Sequence, residues 1–301
     1  MAEVNKPLVS IIVNCFNGEK YLNQALQSAI DQTFKNWELI FWDNQSTDNS
    51  KKIFLQIKED RFKYFCSDHH STLYEGRNRA IEKSKGELLA FLDVDDWWEK
   101  SKLEKQIVFF ADSKVGLVYS NLYLFNENEK KRKIYSKKFL KSGYLTKDLL
   151  KNYNIGITSL LLRKSAYEAE KGFDNQYNVI GDFDLVIRLS CNWKFQSVQE
   201  PLWHYRIHND NFILKNDFLE IEEFKKWISD QKIFSNKNFT SNLKFVKQRI
   251  IFLRTIKYIK DGKFYDALKN ILFFPISFKK IKLIVYFIFS KKIIKKIKYF
   301  H

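Results

Sequence analysis

The chain contains little of what builds disulfide-stapled domains or structureless linkers. Its 301 residues include three cysteines, three prolines and nine glycines. Cys15, Cys66 and Cys191 are odd in number and widely spaced, so they predict neither a disulfide framework nor a paired-cysteine metal site. Such cysteine use suits a reducing cytoplasm. No internal repeat and no low-complexity linker interrupts the sequence.

The sequence also lacks a long uninterrupted hydrophobic run. Near the start, Leu8–Val13 is too short for a signal peptide and ends in Asn14. Near the end, the apolar run Leu283–Phe289 covers seven residues and has lysines on both sides. Because a spanning helix needs about 20 apolar residues, we expect no transmembrane segment.

Acidic residues are scarce in one part of the chain only. The net charge is +17, and residues 235–301 hold 17 Lys or Arg but two acids, which leaves about +2 for the first 234 residues. This asymmetry separates a nearly neutral body from a basic tail. A basic tail favours an anionic surface, either membrane lipid or nucleic acid.

Short apolar runs alternate with amphipathic segments through the first half of the body. Predicted strands are Leu8–Asn14, Trp37–Trp42, Arg61–Cys66 and Glu87–Leu92, and predicted helices are Glu19–Asp31, Asp48–Lys58 and Tyr74–Lys85. This order is typical of a doubly wound α/β fold with a largely parallel sheet. Ligands bind at the carboxyl ends of such strands, so Asn14, Asp43 and Asp93 should converge on one crevice.

The second half of the body is less regular. We predict strands at Gly116–Leu124, Ile157–Arg163 and Phe195–Val198, a helix at Lys100–Phe110, a helix at Asp182–Leu189 and an exposed loop at Asn126–Lys138. From Asp217 onward the pattern is helical, basic and aromatic.

Three carboxylates follow the fourth predicted strand, in Asp93-Val94-Asp95-Asp96. Like charges this close repel, so at least one carboxyl should be pushed toward its neutral form unless a cation lies between them. Oxygen ligands suit Mg²⁺ or Mn²⁺, which would in turn hold a diphosphate. Asp96 has a competing role, because Asp96-Trp97-Trp98-Glu99 resembles a capping box before a helix.

Seven short stretches occur in order along the chain: Val9–Gly18, Trp42–Asp48, Gly76–Asn78, Phe91–Asp96, Gly172–Asp174, Asp182–Leu185 with Arg188, and Tyr205–His208. In this order they resemble the inverting family 2 glycosyltransferases, whose fold is called GT-A. Each stretch is short, but the ordered set is highly specific. The resemblance implies an α/β GT-A domain that binds a nucleotide-sugar donor.

The resemblance assigns donor-binding roles by position. Asp43 matches the acid that reads the nucleotide base, usually uracil, and a carboxylate can accept the N3–H of a pyrimidine. The backbone at Asn14 and Phe16 would line the base pocket. Arg77 would supply fixed positive charge near the nucleotide. Asp93 would bind the ribose or the metal.

The resemblance also implies the catalytic base and the metal ligands. Asp182 matches the carboxylate that removes the proton of the acceptor hydroxyl. The family often has Glu before this Asp, whereas this chain has Gly181. Asp184 is the nearest competitor, which we interpret as a helix N-terminal acid. Asp95 and His208 would bind the divalent metal, Mn²⁺ or Mg²⁺.

Several of these residues have a competing structural role. Asp43 could form the turn after its strand, Arg77 could be a solvated helix residue, and a lone histidine such as His208 is often structural. Trp97 and Trp98 could stack on a sugar or pack under the helix that they begin.

The basic tail suggests a membrane partner. Between Lys279 and Phe300, Ile293, Ile297 and Phe300 share one helical face while lysines fill much of the rest. This pattern fits a helix in the headgroup region of an anionic leaflet. The alternative is a charged helix packed on the body. No nucleic-acid motif accompanies the charge, so we expect no nucleic-acid partner.

Together these features predict a metal-dependent, inverting enzyme that moves a sugar from a nucleotide-diphosphate sugar, UDP-linked by resemblance, to a growing capsule, lipopolysaccharide or O-antigen type glycan. Residues 1–215 would form the catalytic domain and residues 216–301 a helical, membrane-associating region. The protein would be cytoplasmic and peripheral on the inner face of the membrane. The rivals are a nucleotidyltransferase on a similar fold and a non-enzymatic basic protein that binds membrane or nucleic acid.

Overall fold

The computed structural model describes residues 7–212, 216–230 and 242–289. The chain divides into two compact units. The first comprises Met1–Leu145 and Asn154–His208, and the second comprises Thr146–Tyr153 and Asn209–His301. The domain boundary predicted at residue 215 stays a prediction.

The first unit is built on a nine-stranded sheet. Its strands are β1 (Val9–Cys15), β2 (Trp37–Asp43), β3 (Phe62–Cys66), β4 (Leu88–Phe91), β5 (Trp97–Trp98), β6 (Val115–Asn126), β7 (Lys131–Ile134), β8 (Leu161–Arg163) and β9 (Lys194–Ile207). The order across the sheet is β3-β2-β1-β4-β8-β6-β9-β5, and β7 pairs with β6.

Helices occur in both units. They are α1 (Glu19–Ile30), α2 (Ser50–Gln56), α3 (Leu73–Glu82), α4 (Lys102–Ile107), α5 (Thr146–Lys151), α6 (Lys164–Ala169), α7 (Gly181–Asn192), α8 (Asp217–Ser229), α9 (Leu243–Lys260), α10 (Phe264–Phe273) and α11 (Phe278–Ile288). Short 3-10 turns cover Val108–Ala111 and Ile157–Ser159.

The parallel half of the sheet agrees with the prediction. Strands β3, β2, β1 and β4 are all parallel neighbours, and α1, α2 and α3 connect them. Ile11, Leu39 and Ala90 are completely buried. Full burial of one large aliphatic side chain contributes about 1.5–3 kcal/mol, so the apolar runs are sufficient to hold these strands inside the domain.

The other half departs from the prediction in several places. Trp97 and Trp98 form strand β5, which pairs with β9, and α4 begins only at Lys102. The charged segment predicted as a loop contains the exposed edge strand β7. Strand β9 is 14 residues long instead of ending at Val198. It continues past Pro201 because the pairing with β6 shifts register there, and proline is tolerated at such a bulge.

The second unit is helical. Helices α9, α10 and α11 share a buried cluster that includes Phe252, Ile256, Ile271, Phe274 and Leu283. Within the described ranges, no helix is long and apolar enough to cross a membrane. The predicted membrane face at Ile293, Ile297 and Phe300 lies outside the described residues.

Candidate active site

The carboxyl ends of β1, β2 and β4 meet at one edge of the sheet. Cys15 pairs with Asp43 at the ends of β1 and β2, and Ile12 pairs with Phe91 near the ends of β1 and β4. Asn14, Asp43 and the carboxylates after β4 therefore lie at the same edge. The alternation of strands and helices predicted this convergence.

Asp43 is buried and held on both sides. Its Oδ2 accepts a hydrogen bond of 2.6 Å from Tyr64 Oη, and its Oδ1 accepts one of 2.7 Å from the Ser46 backbone N–H. Burial, followed by the bond to Asp43, raises the pKa of Tyr64 far above its ordinary value, so the phenol stays a donor. Since each carboxylate oxygen can accept two bonds, Asp43 keeps capacity for a ligand N–H.

Asn14 and Phe16 occupy different surroundings next to Asp43. Asn14 turns toward α3, where its Nδ2 donates to the Leu73 carbonyl at 3.4 Å, and its buried Oδ1 has no hydrogen-bond partner among the residues that the structure describes. Only a glycine fits beside it, since a Cβ on Gly76 would lie 2.8 Å from that Oδ1. Phe16 is exposed, and its ring centroid lies 4.3 Å from that of His70. This ring pair offers an aromatic surface at the mouth of the site.

Arg77 is not a solvated helix residue. It is 4% exposed, and its Nη2 lies 2.5 Å from Asp93 Oδ1. The guanidinium also lies over the Tyr74 ring, 5.3 Å from its centroid. Because Arg77 and Asp93 form an ion pair, the two predicted donor-binding residues act as one unit.

Asp96 does not cap a helix, which makes the capping-box prediction wrong. Its Oδ1 accepts from the Arg206 backbone N–H at 3.0 Å, and its Oδ2 accepts from Thr158 Oγ1 at 3.2 Å. Burial, with the charges of Asp95 and Asp93, raises the pKa of Asp96 well above its ordinary value. Burial also raises the pKa of Asp93, but Asp96, which is 2% exposed, is the carboxyl whose pKa is raised well above its ordinary value, with burial as the main cause and charge crowding as the second.

Asp95 and His208 are brought together from residues that are far apart in the chain. His208 Nε2 lies 2.9 Å from Asp95 Oδ2, and the His208 ring packs on Tyr21 at a centroid distance of 5.0 Å. Within the described residues, no group of three or more His, Cys, Asp or Glu could hold a metal by itself. One carboxylate and one imidazole fit a cation such as Mn²⁺ that takes its other ligands from a diphosphate and water.

Arg206 fixes the loop that carries Asp95. Its Nε donates to the Asp95 carbonyl at 2.9 Å, its Nη1 donates to Glu127 Oε2 at 2.7 Å, and its Nη2 donates to Gln24 Oε1. The guanidinium also lies 4.4 Å from the centroid of the Tyr21 ring. A planar five-donor group can make these bonds together, whereas a lysine could not.

Asp182 lies in the first turn of α7, at the entrance of the same edge. Its Oδ1 accepts from Tyr74 Oη at 3.3 Å and from the Phe183 backbone N–H at 2.7 Å. The single Tyr74 hydroxyl hydrogen is shared with the Val179 carbonyl, which lies 3.2 Å from Oη. Burial, with the charge of Asp182, raises the pKa of Tyr74 well above its ordinary value, so the phenol stays neutral.

Gly181 stands before Asp182 because Tyr74 fills the space that a side chain would need. A Cβ at this position would lie 2.4 Å from Cδ2 of the Tyr74 ring. The departure from the usual Glu therefore has a steric cause in this chain.

Asp184 has a structural partner. Arg188 Nη2 donates to Asp184 Oδ2 at 2.6 Å, and Arg188 also donates to the carbonyls of Glu170 and Gly172. The pair joins α7 to the turn that contains Gly172, and Asp184 is 3% exposed. Of the two acids in this turn, Asp182 is the more accessible.

The two adjacent tryptophans differ in environment. Trp98 is buried and donates to the Thr158 carbonyl at 3.2 Å, so it packs as a core residue. Trp97 stacks on His204 with ring centroids 4.3 Å apart. A cavity of about 520 Å³ lies between α1 and β5, and Trp97 is part of its wall, but none of the predicted site residues lines it.

Four residues with roles at this edge were not found from the sequence. Tyr64 and Tyr74 hold Asp43 and Asp182, Arg206 holds the Asp95 loop, and His70 pairs with Phe16. Arg206 lies in Tyr205–His208, one of the stretches that resemble the family, and this was the only sequence signal for any of the four residues. The two tyrosines and His70 have ordinary sequence surroundings, and long-range packing alone reveals them.

Comparison with known families identifies the chain. The family model described as glycosyl transferase family 2 matches residues 10–169, which is more than half of the protein. The chain therefore belongs to glycosyl transferase family 2, as the sequence predicted. This membership favours a glycosyltransferase over the nucleotidyltransferase and the non-enzymatic rival.

Relatives with assigned activities come from bacteria. The chain is 32% identical over 158 residues to the UDP-Glc:alpha-D-GlcNAc-diphosphoundecaprenol beta-1,3-glucosyltransferase WfgD of Escherichia coli, covering 52% of this chain and 61% of that protein. It is 29% identical over 222 residues to the Escherichia coli enzyme WfaP of the same description, covering 71% and 82%. TuaG of Bacillus subtilis, provisionally assigned to teichuronic acid biosynthesis, is 28% identical over 259 residues, covering 84% and 96%.

Solved structures support the fold. The crystal structure of S. aureus TarS 1–349 in complex with UDP-GlcNAc superimposes with a TM-score of 0.61 at 14% identity, covering 87% of this chain and 88% of that one. Identity at this level shows the fold alone. The GT-A prediction, with helices after the sheet domain, is confirmed.

Proposed function

We propose that this family 2 glycosyltransferase is metal-dependent and inverting, and that it moves one sugar from a UDP-sugar to a hydroxyl of a growing capsule, lipopolysaccharide or O-antigen type glycan. Residues 1–215 would form the catalytic domain and residues 216–301 the membrane-associating region. The proposal rests on the family, on the edge of the sheet where the candidate residues meet, and on the chemistry of those residues.

One turn of α3 supports the proposal most strongly. Tyr74 and Arg77 are three residues apart and share a helix face. Tyr74 contacts Asp182, the candidate base, while Arg77 contacts Asp93, the candidate donor ligand. A single rigid element would therefore set the position of the base relative to the donor. Inversion requires this, because the acceptor oxygen must attack the anomeric carbon while its proton is removed.

The donor would be held by charge and by aromatic surface. Asp43 would accept the N3–H of uracil, and the exposed ring pair of Phe16 and His70 would contact the base or the ribose. Asp93 would accept from the ribose hydroxyls. Arg77, already paired with Asp93, would add positive charge near the diphosphate without the entropy cost of ordering a free side chain.

Asp95 and His208 would hold the divalent metal. When bound, the metal supplies positive charge that stabilises the departing nucleoside diphosphate. The Arg206 contacts to the Asp95 carbonyl and to Glu127 would keep the Asp95 carboxylate directed at its partner His208. Such outer contacts orient ligands and tune metal affinity.

Asp182 would take the proton of the acceptor hydroxyl. The Tyr74 hydroxyl and the Phe183 N–H both donate to Asp182 Oδ1 and hold the carboxylate in one orientation. These donors stabilise its ionised form, which is the form that a general base needs. Asp184 would not compete, because Arg188 pairs with it.

The acceptor would be linked to a membrane lipid. WfgD and WfaP are named for a diphosphoundecaprenol-linked acceptor. The basic excess of +15 in residues 235–301 would attract an anionic leaflet, at about 1 kcal/mol for each Lys or Arg near the surface. We therefore place the protein in the cytoplasm, peripheral on the inner face of the membrane.

Thermal unfolding with UDP, GDP, CMP or dTDP, with and without Mn²⁺, tests the donor site. Ligand at about 100 times its dissociation constant stabilises the fold by about 2.7 kcal/mol, which gives a readable shift. We expect a Mn²⁺-dependent shift with UDP that is lost in Asp95→Asn. Absence of a shift with every nucleotide would contradict the donor site. The anomeric configuration of the transferred sugar, read by NMR, tests inversion.

A further inference from the structure

Exposed hydrophobic side chains are concentrated in one segment of the described chain. Residues 264–289, which form α10, the following turn and α11, hold 12 of the 21 large hydrophobic residues that are exposed in the described ranges. Single exposed apolar residues are ordinary, but a contiguous patch marks an interaction site. We call residues 264–289 the hairpin surface.

Helix α11 has two apolar faces. Leu283 is completely buried in the cluster that joins α11 to α9 and α10. A second stripe is exposed, at the helical spacing i, i+3, i+4 and i+7, and consists of Ile281, Ile284, Val285 and Ile288. Packing within the unit therefore explains one face of α11 and leaves the other face without a role.

Helix α10 repeats this arrangement. Ala267 and Ile271 are buried against the unit, while Tyr265, Leu268 and Leu272 are exposed on the other side. The two exposed faces belong to consecutive helices joined by a short turn. They form one extended apolar feature instead of two isolated ones.

The turn between the helices is the most exposed part of this feature. Phe273 is 82% exposed, Ile276 is 97% exposed and Phe278 is 73% exposed. Phe274, between them, is 2% exposed and ties the turn to the buried cluster. Three large apolar side chains are thus presented by a backbone that is anchored from beneath.

The positive charge of the hairpin surface favours an anionic partner. It contains four lysines, of which Lys279, Lys280 and Lys282 directly follow the turn, and one acid, Asp266. Lys280 Nζ donates to the Leu272 carbonyl at 3.0 Å, and Lys282 Nζ lies 5.8 Å from the Phe278 ring centroid, so the cations border the apolar residues. A second copy of the chain would bring like charges together, whereas an anionic lipid surface satisfies both the apolar and the cationic groups.

We propose that the hairpin surface lies in the headgroup region of an anionic bilayer, with Phe273, Ile276 and Phe278 inserted among the acyl chains. This deepens the proposed function, on which it rests for its purpose, by naming the membrane contact in described residues rather than in the basic segment after residue 290. The neighbouring lysines remain at the phosphate level, as amphipathic side chains do at interfaces.

Flotation of the full chain with vesicles tests the proposal. The vesicles are phosphatidylcholine alone, or phosphatidylcholine with about one third phosphatidylglycerol, since the anionic lipid should provide the attraction. The test variant is Phe273→Ser with Ile276→Ser and Phe278→Ser. The control is Leu55→Ser with Val108→Ser and Phe139→Ser, which removes three apolar residues of the first unit that are 58%, 63% and 81% exposed.

We expect wild type and the control to bind the anionic vesicles equally. The partition coefficient of the test variant should be lower by about tenfold or more, because three apolar side chains no longer transfer into the interface. Deleting residues 290–301 should leave this sensitivity to the test variant in place. The proposal is overturned if the test variant binds like wild type, if the deletion alone abolishes binding, or if light scattering shows a dimer that the test variant dissociates. Donor-induced thermal shifts without vesicles report separately on the proposed function and should be equal in all variants.

Discussion

Replacing Gly181 with alanine should disturb the candidate base through Tyr74. The added Cβ would lie 2.4 and 2.6 Å from atoms of the Tyr74 ring, where ordinary contacts begin at 3.4 Å. The ring must therefore retreat by about 1 Å, yet it is 2% exposed and packs against Phe173 at a centroid distance of 5.1 Å. Overpacking of this kind costs about 1–3 kcal/mol of unfolding free energy.

The same displacement affects catalysis. The Tyr74 Oη to Asp182 Oδ1 distance is already 3.3 Å, so a further shift of the ring breaks this hydrogen bond. Loss of one hydrogen bond to a charged acceptor, at about 1.5–3 kcal/mol, corresponds to about a ten- to 150-fold fall in kcat. KM for the donor should change less than kcat, because Asp43 bonds Tyr64 and Asp93 pairs with Arg77, and neither bonds the Tyr74 hydroxyl.

Urea denaturation and nucleoside-diphosphate release measure the two effects. Tyr74→Phe is the matched variant, since it keeps the ring and removes only the hydroxyl. The double variant Tyr74→Leu with Gly181→Ala relieves the clash, so its cost should be smaller than the sum of the two single costs. Strict additivity, or a Gly181→Ala enzyme with wild-type stability and kcat, would refute the steric account.

Three further predictions concern the metal edge. Asp95→Asn should abolish the Mn²⁺-dependent shift with UDP, while Asp96→Asn should keep it, because both Asp96 carboxyl oxygens are engaged by the protein, one by the Arg206 backbone N–H and one by Thr158 Oγ1. The pKa of Asp96 is raised in the folded state, so ionisation of this carboxyl lowers the free energy of unfolding as the pH rises above the pKa of the unfolded chain. In urea titrations from pH 5 to 8, about one to four units above the ordinary Asp pKa, the stability of Asp96→Asn relative to wild type should therefore increase. Arg206→Lys should raise the half-saturating Mn²⁺ concentration about tenfold or more, as loss of outer-shell contacts does, and an unchanged Mn²⁺ titration would show that Arg206 serves the fold alone.

Local patterns were sufficient for the parallel half of the fold. The runs around Ile11, Leu39 and Ala90 are apolar, short and bounded by polar turns, so both strand type and order could be predicted. The same patterns failed where sequence signals conflict. A capping-box pattern concealed strand β5, and the strand predicted to end at Val198 continues through a bulge as β9.

The role of Asp96 shows why crowding alone was incomplete. Repulsion among neighbouring carboxylates predicts that one becomes neutral, but it does not say which one. Burial decides this, and burial depends on Thr158 and on the Arg206 backbone, which come from distant parts of the chain. The exposed stripe on α11 is a similar case, because the sequence shows an apolar helix and only packing shows which face is covered.

The sequence by itself determined the family, the parallel strands and the group of acids at their carboxyl ends, because these follow from short-range periodicity and from motifs in order. Tertiary structure alone decided which acid is buried, which tyrosine holds Asp182 and why Gly181 replaces an acidic residue. Tyr74 and Asp182 are 108 positions apart, and Asp95 and His208 are 113 apart. Contacts over such separations arise from the packing of whole elements, which no local pattern encodes.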